Sequence, residues 1–458
     1  METIIVVVFV VGYLAITLEH SLKIDKLVPA LVMMAVCWAF ISFGIDNFHN
    51  WFDSSSHKLV NNFFDFNHDK KMDLLENTLL HHLGKTAEIL VFLIGAMTIV
   101  ELIAYFNGFS TIKKFIKTKR KTKLLWILCC LAFILSAIID NLTATIVLIS
   151  LLQKLVKDRE MRIWFAGLII IAANAGGAFS PIGDVTTTML WIADKVSTPH
   201  LFGYLLIPSL FCMIVPTFIA SKLSVFKGNL EIDNADDSDQ GHFSSIMLWL
   251  GLSAIIFVPV FKMLTHLPPY VGMMLSLGVV AVFAEIFGSS KYCIDKFGNS
   301  THVSPIHHSL SKIEMPSILF FLGILMAVAA LESLGILFGF ADWLKNSTPN
   351  LGTEVVGATV SDLVVLLLGV GSAIIDNVPL VAASLGMFSV PMDDILWHFI
   401  AYSAGTGGSM LIIGSASGVV AMGMEKINFF WYLKKISWLA LIGFICGALV
   451  FFFTRTLF

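Results

Sequence analysis

Apolar residues along this chain fall in long, nearly unbroken blocks, at 3–19, 27–44, 86–107, 200–221, 244–262, 269–288, 316–341 and 436–453. A helix rises about 1.5 Å per residue and the hydrocarbon core of a bilayer is about 30 Å thick, so roughly 20 mainly apolar residues are enough to cross it. Each block therefore predicts a membrane-spanning helix. The chain holds about ten such stretches and two longer ones interrupted by polar residues. Residues 45–85 are polar and carry an amphipathic stretch around Met72 to Leu83, which predicts an extramembranous loop with an interfacial helix. The segment KGNLEIDNADDSDQGHF, 227–243, is a polar acidic linker near the middle of the chain.

The two longer stretches, 124–155 and 353–390, each carry an Asp-Asn pair near the centre: LSAIIDNLTATIVLIS and GSAIIDNVPLVAAS. A continuous helix from Leu124 to Gln153 would be about 45 Å long and would expose Asp140 and Asn141 to lipid. Breaking it at Asp140 gives two half-length arms with a polar tip that protein can bury, so each stretch predicts a re-entrant hairpin. Behind each hairpin comes a glycine-rich segment, 169–192 and 399–423. Gly176, Gly177, Pro181 and Gly183 in the first, and Gly405, Gly407, Gly408 and Gly414 in the second, are expected to loosen the helical ladder and free carbonyls at membrane depth.

SAIIDN occurs twice, at Ser136–Asn141 and Ser372–Asn377. The glycine pattern that follows recurs as well, and Glu101 recurs as Glu332. The chain is thus an internal duplication. Lys113, Lys114, Lys117, Lys119, Arg120, Lys121 and Lys123 precede the first hairpin, and Lys154, Lys157, Arg159 and Arg162 follow it, whereas the flanks of the second hold only Lys345. Because cytoplasmic loops are enriched in Lys and Arg, the first hairpin opens to the cytoplasm, the second to the periplasm, and the halves are inverted. The expected fold class is an all-α polytopic membrane protein with two inverted repeats, each with a re-entrant hairpin and a broken transmembrane helix. Its parts are 1–85, N-terminal spans and polar loop; 86–226, the first transport repeat; 227–243, a cytoplasmic acidic linker; 244–315, connecting spans and loop; 316–425, the inverted second repeat; and 426–458, a C-terminal span.

Composition agrees: 57% of the 458 residues are hydrophobic, 13% are charged and the mean hydropathy is +0.86. That excludes a soluble enzyme. A net charge of -3, with the basic residues in loops, gives nucleic-acid binding no support. Six Cys residues (37, 129, 130, 212, 293 and 446) lie mostly in apolar segments without metal or disulfide spacing and read as packing residues. The run from Thr3 to Thr17 lacks the basic start and cleavage site of a signal peptide and reads as the first span.

An ionisable group inside a span is costly, so Asp140 and Asp376 need a function. Burial favours the neutral, protonated carboxyl, whereas a bound sodium ion favours the carboxylate. Protons and sodium then exclude each other from one site, which is the simplest antiport chemistry. The plainer reading, an Asp that only caps the second arm of its hairpin, is compatible with this one. Sodium takes hard oxygen ligands. Around the first tip these are Asn141, Thr143, Asn174, Ser180, Asp184 and Thr186; around the second, Asn377, Ser403, Thr406, Ser409, Ser415 and Ser417. Any single Ser or Thr here is more often bonded to its own helix. Pro379 stands where the first tip has Thr143, so the two sites are chemically unequal. Glu101 and Glu332 are candidate proton relays. His20, His200 and His398, at segment ends, are candidate pH sensors whose plain reading is an interfacial His.

The pair SAIIDNLTATIV and SAIIDNVPLVAA, with AANAGGAFSPIGDVTT after the first and TLEHSLKIDKLVPAL near the N-terminus, resembles the NhaD-type sodium/proton antiporters of the ion transporter superfamily. The resemblance runs over nearly the whole chain. It implies a scaffold-and-transport arrangement with hairpin tips meeting broken helices near the midplane, a homodimer, a bacterial inner-membrane location, and sodium or lithium exchanged for protons without a cofactor. Dicarboxylate carriers of that superfamily have Ser-Asn-Thr at the tips, and this chain has Asp-Asn instead. An arsenite or dicarboxylate transporter of the same fold would need a cationic or thiol-rich pocket, and no Arg or Lys lies in either motif region. A membrane-embedded enzyme would need a nucleophile with a base, or a metal set, and the core acids stand isolated.

Overall fold

A chain in lipid must satisfy its backbone donors internally, so the apolar blocks become helices. The computed structural model describes residues 1–53, 58–60, 62–115, 118–230, 243–288, 304–347, 360–374 and 376–455. Among them, nine helices are long and apolar enough to cross a membrane. Most of the 227–243 linker, Cys293 and the side chain of His20 lie outside the described residues.

The first helices are α1 (Glu2–Thr17), α2 (Leu27–Gly44) and α3 (His68–Tyr105). Then come α4 (Lys121–Ile139) and α5 (Asn141–Leu155), the arms of the first hairpin, and α6 (Arg159–Ala178) and α7 (Val185–Ile192), the halves of a broken helix. The middle of the chain forms α8 (Thr198–Lys222), α9 (Ser244–Thr265) and α10 (Pro269–Gly288). The second half has α11 (Met315–Ser333), α12 (Ile336–Ser347), the hairpin arms α13 (Asp362–Ile374) and α14 (Asn377–Met387), the broken helix α15 (Ile395–Gly407) and α16 (Ala416–Glu425), and α17 (Ser437–Thr454). Short strands Phe52–Asp53 and Lys58–Leu59 pair antiparallel, the only sheet among the described residues.

Three details depart from the sequence reading. The interfacial helix and the third span are one helix of 38 residues, about 57 Å long, capped by Asn67, whose side chain accepts from the Lys70 amide at 3.2 Å. Residues 68–85 contain no proline, and the one glycine, Gly84, does not stop the ladder. The block 316–341 is two helices, because Gly335 turns the chain at φ 71° after α11 ends. Gly176, Gly177, Gly405 and Gly407 are helical rather than unwound, and the breaks lie at 179–184 and 408–415.

The glycines serve close packing instead. A Cβ on Gly176 would collide with the Phe133 carbonyl oxygen of the first hairpin, and one on Gly407 with that of Gly369 in the second. At the breaks a Cβ on Gly183 would lie 2.7 Å from the Ser136 oxygen and one on Gly414 2.5 Å from that of Ala373. Each broken helix thus rests backbone to backbone on its hairpin. Ser136 Oγ donates to the Ala173 carbonyl at 2.6 Å, and its repeat mate Ser372 to that of Ala404 at 2.8 Å.

Helices α8 and α17 run antiparallel, with Gly443 against Cys212 and Pro216 and Gly447 against Pro208. At the Lys222 end of α8, Thr122 Oγ1 donates to the Phe226 carbonyl at 2.8 Å, at the base of the first hairpin. At the Thr198 end, Arg455 after α17 holds Asp362 at the base of the second hairpin, Nη1 to Oδ2 at 2.8 Å. The two hairpins enter from opposite ends. They pack with the broken helices, α8 and α17 into one body; α1, α2, α3, α9, α10 and α11 pack into another.

Candidate functional site

Both hairpin tips and the first broken helix meet at a cavity of about 60 Å³ between these bodies. Asp140, Asn141, Asp184, Asp376 and Asn377 line it from one side, and α3, α9, α10 and α11 close the other with apolar side chains such as Phe92, Met97, Met273 and Phe321.

Asp140 sits at the break of the first hairpin with φ 79°. Its Oδ1 accepts from the Thr143 amide at 2.7 Å and its Oδ2 from the Thr143 hydroxyl at 2.9 Å. It is an N-cap as well as a cavity group. Asp376 is held differently, since Pro379 offers neither an N–H nor a hydroxyl. Its cap bond from the Val378 amide is 3.4 Å long. Its other oxygen accepts from Lys26 Nζ at 2.8 Å.

The third carboxylate, Asp184, is the N-cap of α7 and is 2% exposed. Oδ1 accepts from the Thr186 amide at 3.3 Å and Oδ2 from Asn377 Nδ2 at 3.0 Å. The first tip makes a neutral counterpart of this contact. Asn141 Nδ2 donates to Asn174 Oδ1 at 3.0 Å, Asn174 Nδ2 donates to Ser415 Oγ at 3.0 Å, and Ser417 Oγ donates to Asn174 Oδ1 at 2.8 Å. In the duplication Asn174 corresponds to Gly405, and Asp184 to Ser415. A Cβ on Gly405 would lie 3.7 Å from Asp184 Oδ2. A long side chain facing a short one has thus been exchanged between the repeats, and the exchange puts the charge at Asp184.

The other candidates fall outside the cavity. Ser180 donates to the Ala137 carbonyl at 2.6 Å, Thr406 to that of Tyr402 at 2.6 Å and Ser409 to that of Thr406 at 2.7 Å, so their hydroxyls go to backbone. The Ser403 hydroxyl is buried with no hydrogen-bond partner among the described residues, and the Thr186 hydroxyl is buried beside the Asp184 cap. Glu101 lies near the end of α3, and Glu332 lines a separate cavity of about 190 Å³ with Lys85 and Lys195. His200 and His398 lie 3.2 and 3.4 Å from Asp393, beyond the second hairpin.

Sequence reasoning missed Lys26. It precedes α2, 350 residues from Asp376, and no local pattern marks it. The one hint was its place in the N-terminal stretch that resembles the antiporters. The absence of Lys and Arg from the motif regions is therefore not an absence from the cavity. Even so, three carboxylates face one ammonium already engaged with one of them.

Opposed hairpins and a broken helix that bury carboxylates in a bundle of membrane-crossing helices define a multi-pass membrane transporter. The citrate transporter family profile (CitMHS) matches residues 13–399. Sodium/proton antiporter 2 of Arabidopsis thaliana is 36% identical over 97% of both chains, and sodium/proton antiporter 1 of that plant is 40% identical over 96% of this chain and 70% of its own. The Na(+)/H(+) antiporter NhaD of Vibrio parahaemolyticus is 31% identical over 84% of this chain and 95% of its own. The YdaH transporter of Alcanivorax borkumensis shares the fold, with a TM-score of 0.57 at 13% identity over 93% of this chain and 98% of that one. The chain belongs to the citrate transporter family and, within it, to the NhaD-type sodium/proton antiporters.

Proposed function

We propose that the protein is a secondary active antiporter that exchanges sodium or lithium for protons, the two competing for Asp140, Asp184 and Asp376 as the cavity faces each side in turn. The observation that carries this reading is the convergence of three carboxylates on one small cavity. Charge decides the cargo class, because a citrate-like anion would meet three carboxylates and one engaged ammonium, whereas a cation is attracted. The names of the relatives support the same cargo. The basic flanks of the first hairpin put its base in the cytoplasm and that of the second in the periplasm. A bacterial inner membrane, a homodimer and the absence of a resident cofactor belong to the same proposal, with the ions as cargo.

In everted vesicles with an acidified lumen, sodium or lithium should release the stored protons and dequench a pH dye, and citrate, succinate or arsenite should not. A response to the anions alone would transfer the protein to the anion carriers. Silence toward both cations between about pH 7 and 9.5, a range that covers ionisation of a strongly perturbed carboxylate, would reject the antiporter.

A further inference from the structure

The two bodies around the cavity contribute unequal chemistry. All its carboxylates come from the hairpins and the first broken helix. From the other body, Lys26 is the one charged group among the described lining residues. Its Nζ lies 2.8 Å from Asp376 Oδ2 and 4.6 Å from the centre of the Phe320 ring. Helix α2, which begins at Leu27, packs mainly on α11 and α1. The Lys26–Asp376 pair therefore joins the body that holds the ion site to the body that does not. If the bodies move past one another, it must break.

Lys26 also lines a second recess, of about 100 Å³, with Glu19, Asp25 and Glu314. The recess and the cavity share Lys26, Leu142, Ser317 and Ala416. An ammonium that leaves Asp376 thus has carboxylates within the swing of a flexible four-carbon stem. Thr143 has no counterpart beside Asp376, because Pro379 takes its place. Among the described residues, Lys26 takes the Oδ2 of Asp376, where at the first tip the Thr143 hydroxyl holds that of Asp140.

We propose that the Lys26–Asp376 ion pair is a latch that fastens the unloaded transport body to α2, and that the transported cation opens it by taking Asp376 from Lys26. The inference rests on the antiporter reading and gives a residue outside the repeated motifs a part in coupling. Exchange is obligatory only if the empty carrier cannot return. An empty return would let sodium run down its gradient with no proton moving the other way. The latch closes that unloaded step and leaves the loaded ones open.

Sodium efflux and proton uptake should be measured together in proteoliposomes holding the full-length protein, as wild type and as Lys26→Met, Lys26→Gln and Lys26→Arg. Met keeps the apolar stem against Phe320 and removes only the charge; Gln is the second charge-free variant should Met fail to insert. In both, sodium should leave without a matching proton, and this uncoupled flux should rise about 10- to 150-fold, the equilibrium change that loss of one charge-assisted bond gives. Arg keeps the charge and should keep the wild-type number of protons per sodium. A pair that only stabilises the fold would lower both fluxes together and leave their ratio unchanged. A wild-type ratio in the charge-free variants, whatever their rate, overturns the latch. Failure of the wild type itself to exchange would instead sink the antiporter reading.

Discussion

Replacing Asp184 by Asn is the most informative perturbation of the cavity. Asp184 was the less conspicuous acid in the sequence, because it lies outside both Asp-Asn tips. Its carboxylate is 2% exposed and accepts from Asn377 at 3.0 Å. An Asn side chain has one acceptor oxygen and can serve only one of the two donors, Asn377 Nδ2 or the Thr186 amide, so the fold should lose about 1–3 kcal/mol. Cation binding should lose more. At an effective dielectric near 20, a unit charge about 4 Å from a carboxylate is attracted by about 4 kcal/mol, and each 1.4 kcal/mol is tenfold in affinity. The neutral oxygen remains a ligand and recovers part of this, so the half-saturating sodium concentration should rise about 100- to 1,000-fold. The assay is dye dequenching in everted vesicles titrated with sodium chloride, with membrane levels matched by immunoblot. A variant that keeps wild-type half-saturation at normal abundance would remove Asp184 from the ion site.

Other changes follow from the same geometry. Asp140→Asn and Asp376→Asn should each abolish exchange at normal membrane abundance, and full activity in either variant would exclude that residue. Gly176→Ala and Gly407→Ala should cost of order 1–3 kcal/mol or more by forcing a methyl group against a hairpin carbonyl, read as a lower melting temperature in detergent, and an unchanged melt would refute the close approach. A Cys placed at Lys119 should react only from the cytoplasm and one at Ser347 only from the periplasm; labelling of both from one side would defeat the inverted arrangement.

The hairpins and their tips were legible because duplication wrote the same six residues twice, and an Asp-Asn pair in an apolar block has few readings other than a buried tip. That the two glycine-rich helices break was legible, but not which glycines lie at the breaks. Glycine both unwinds a helix and lets two backbones touch, and only the position of Phe133 and Gly369 shows that Gly176 and Gly407 do the second. The 38-residue α3 was hidden because hydropathy reports where a helix meets lipid, not where it stops. Ser180, Thr406 and Ser409 were credible ligands by composition, yet hydroxyls so near backbone carbonyls bond to those first. Lys26 was illegible for a different reason. Its meaning comes from Asp376, and a contact across 350 residues leaves no periodicity to read.

If protons and sodium compete for one set of carboxylates, sodium binding must release protons. Purified wild-type protein in weakly buffered detergent solution should release protons as sodium chloride is added, saturably, with choline chloride giving no signal. A triple variant Asp140→Asn, Asp184→Asn and Asp376→Asn that remains folded should release none. Saturable sodium binding by the wild type without proton release would rule out that competition.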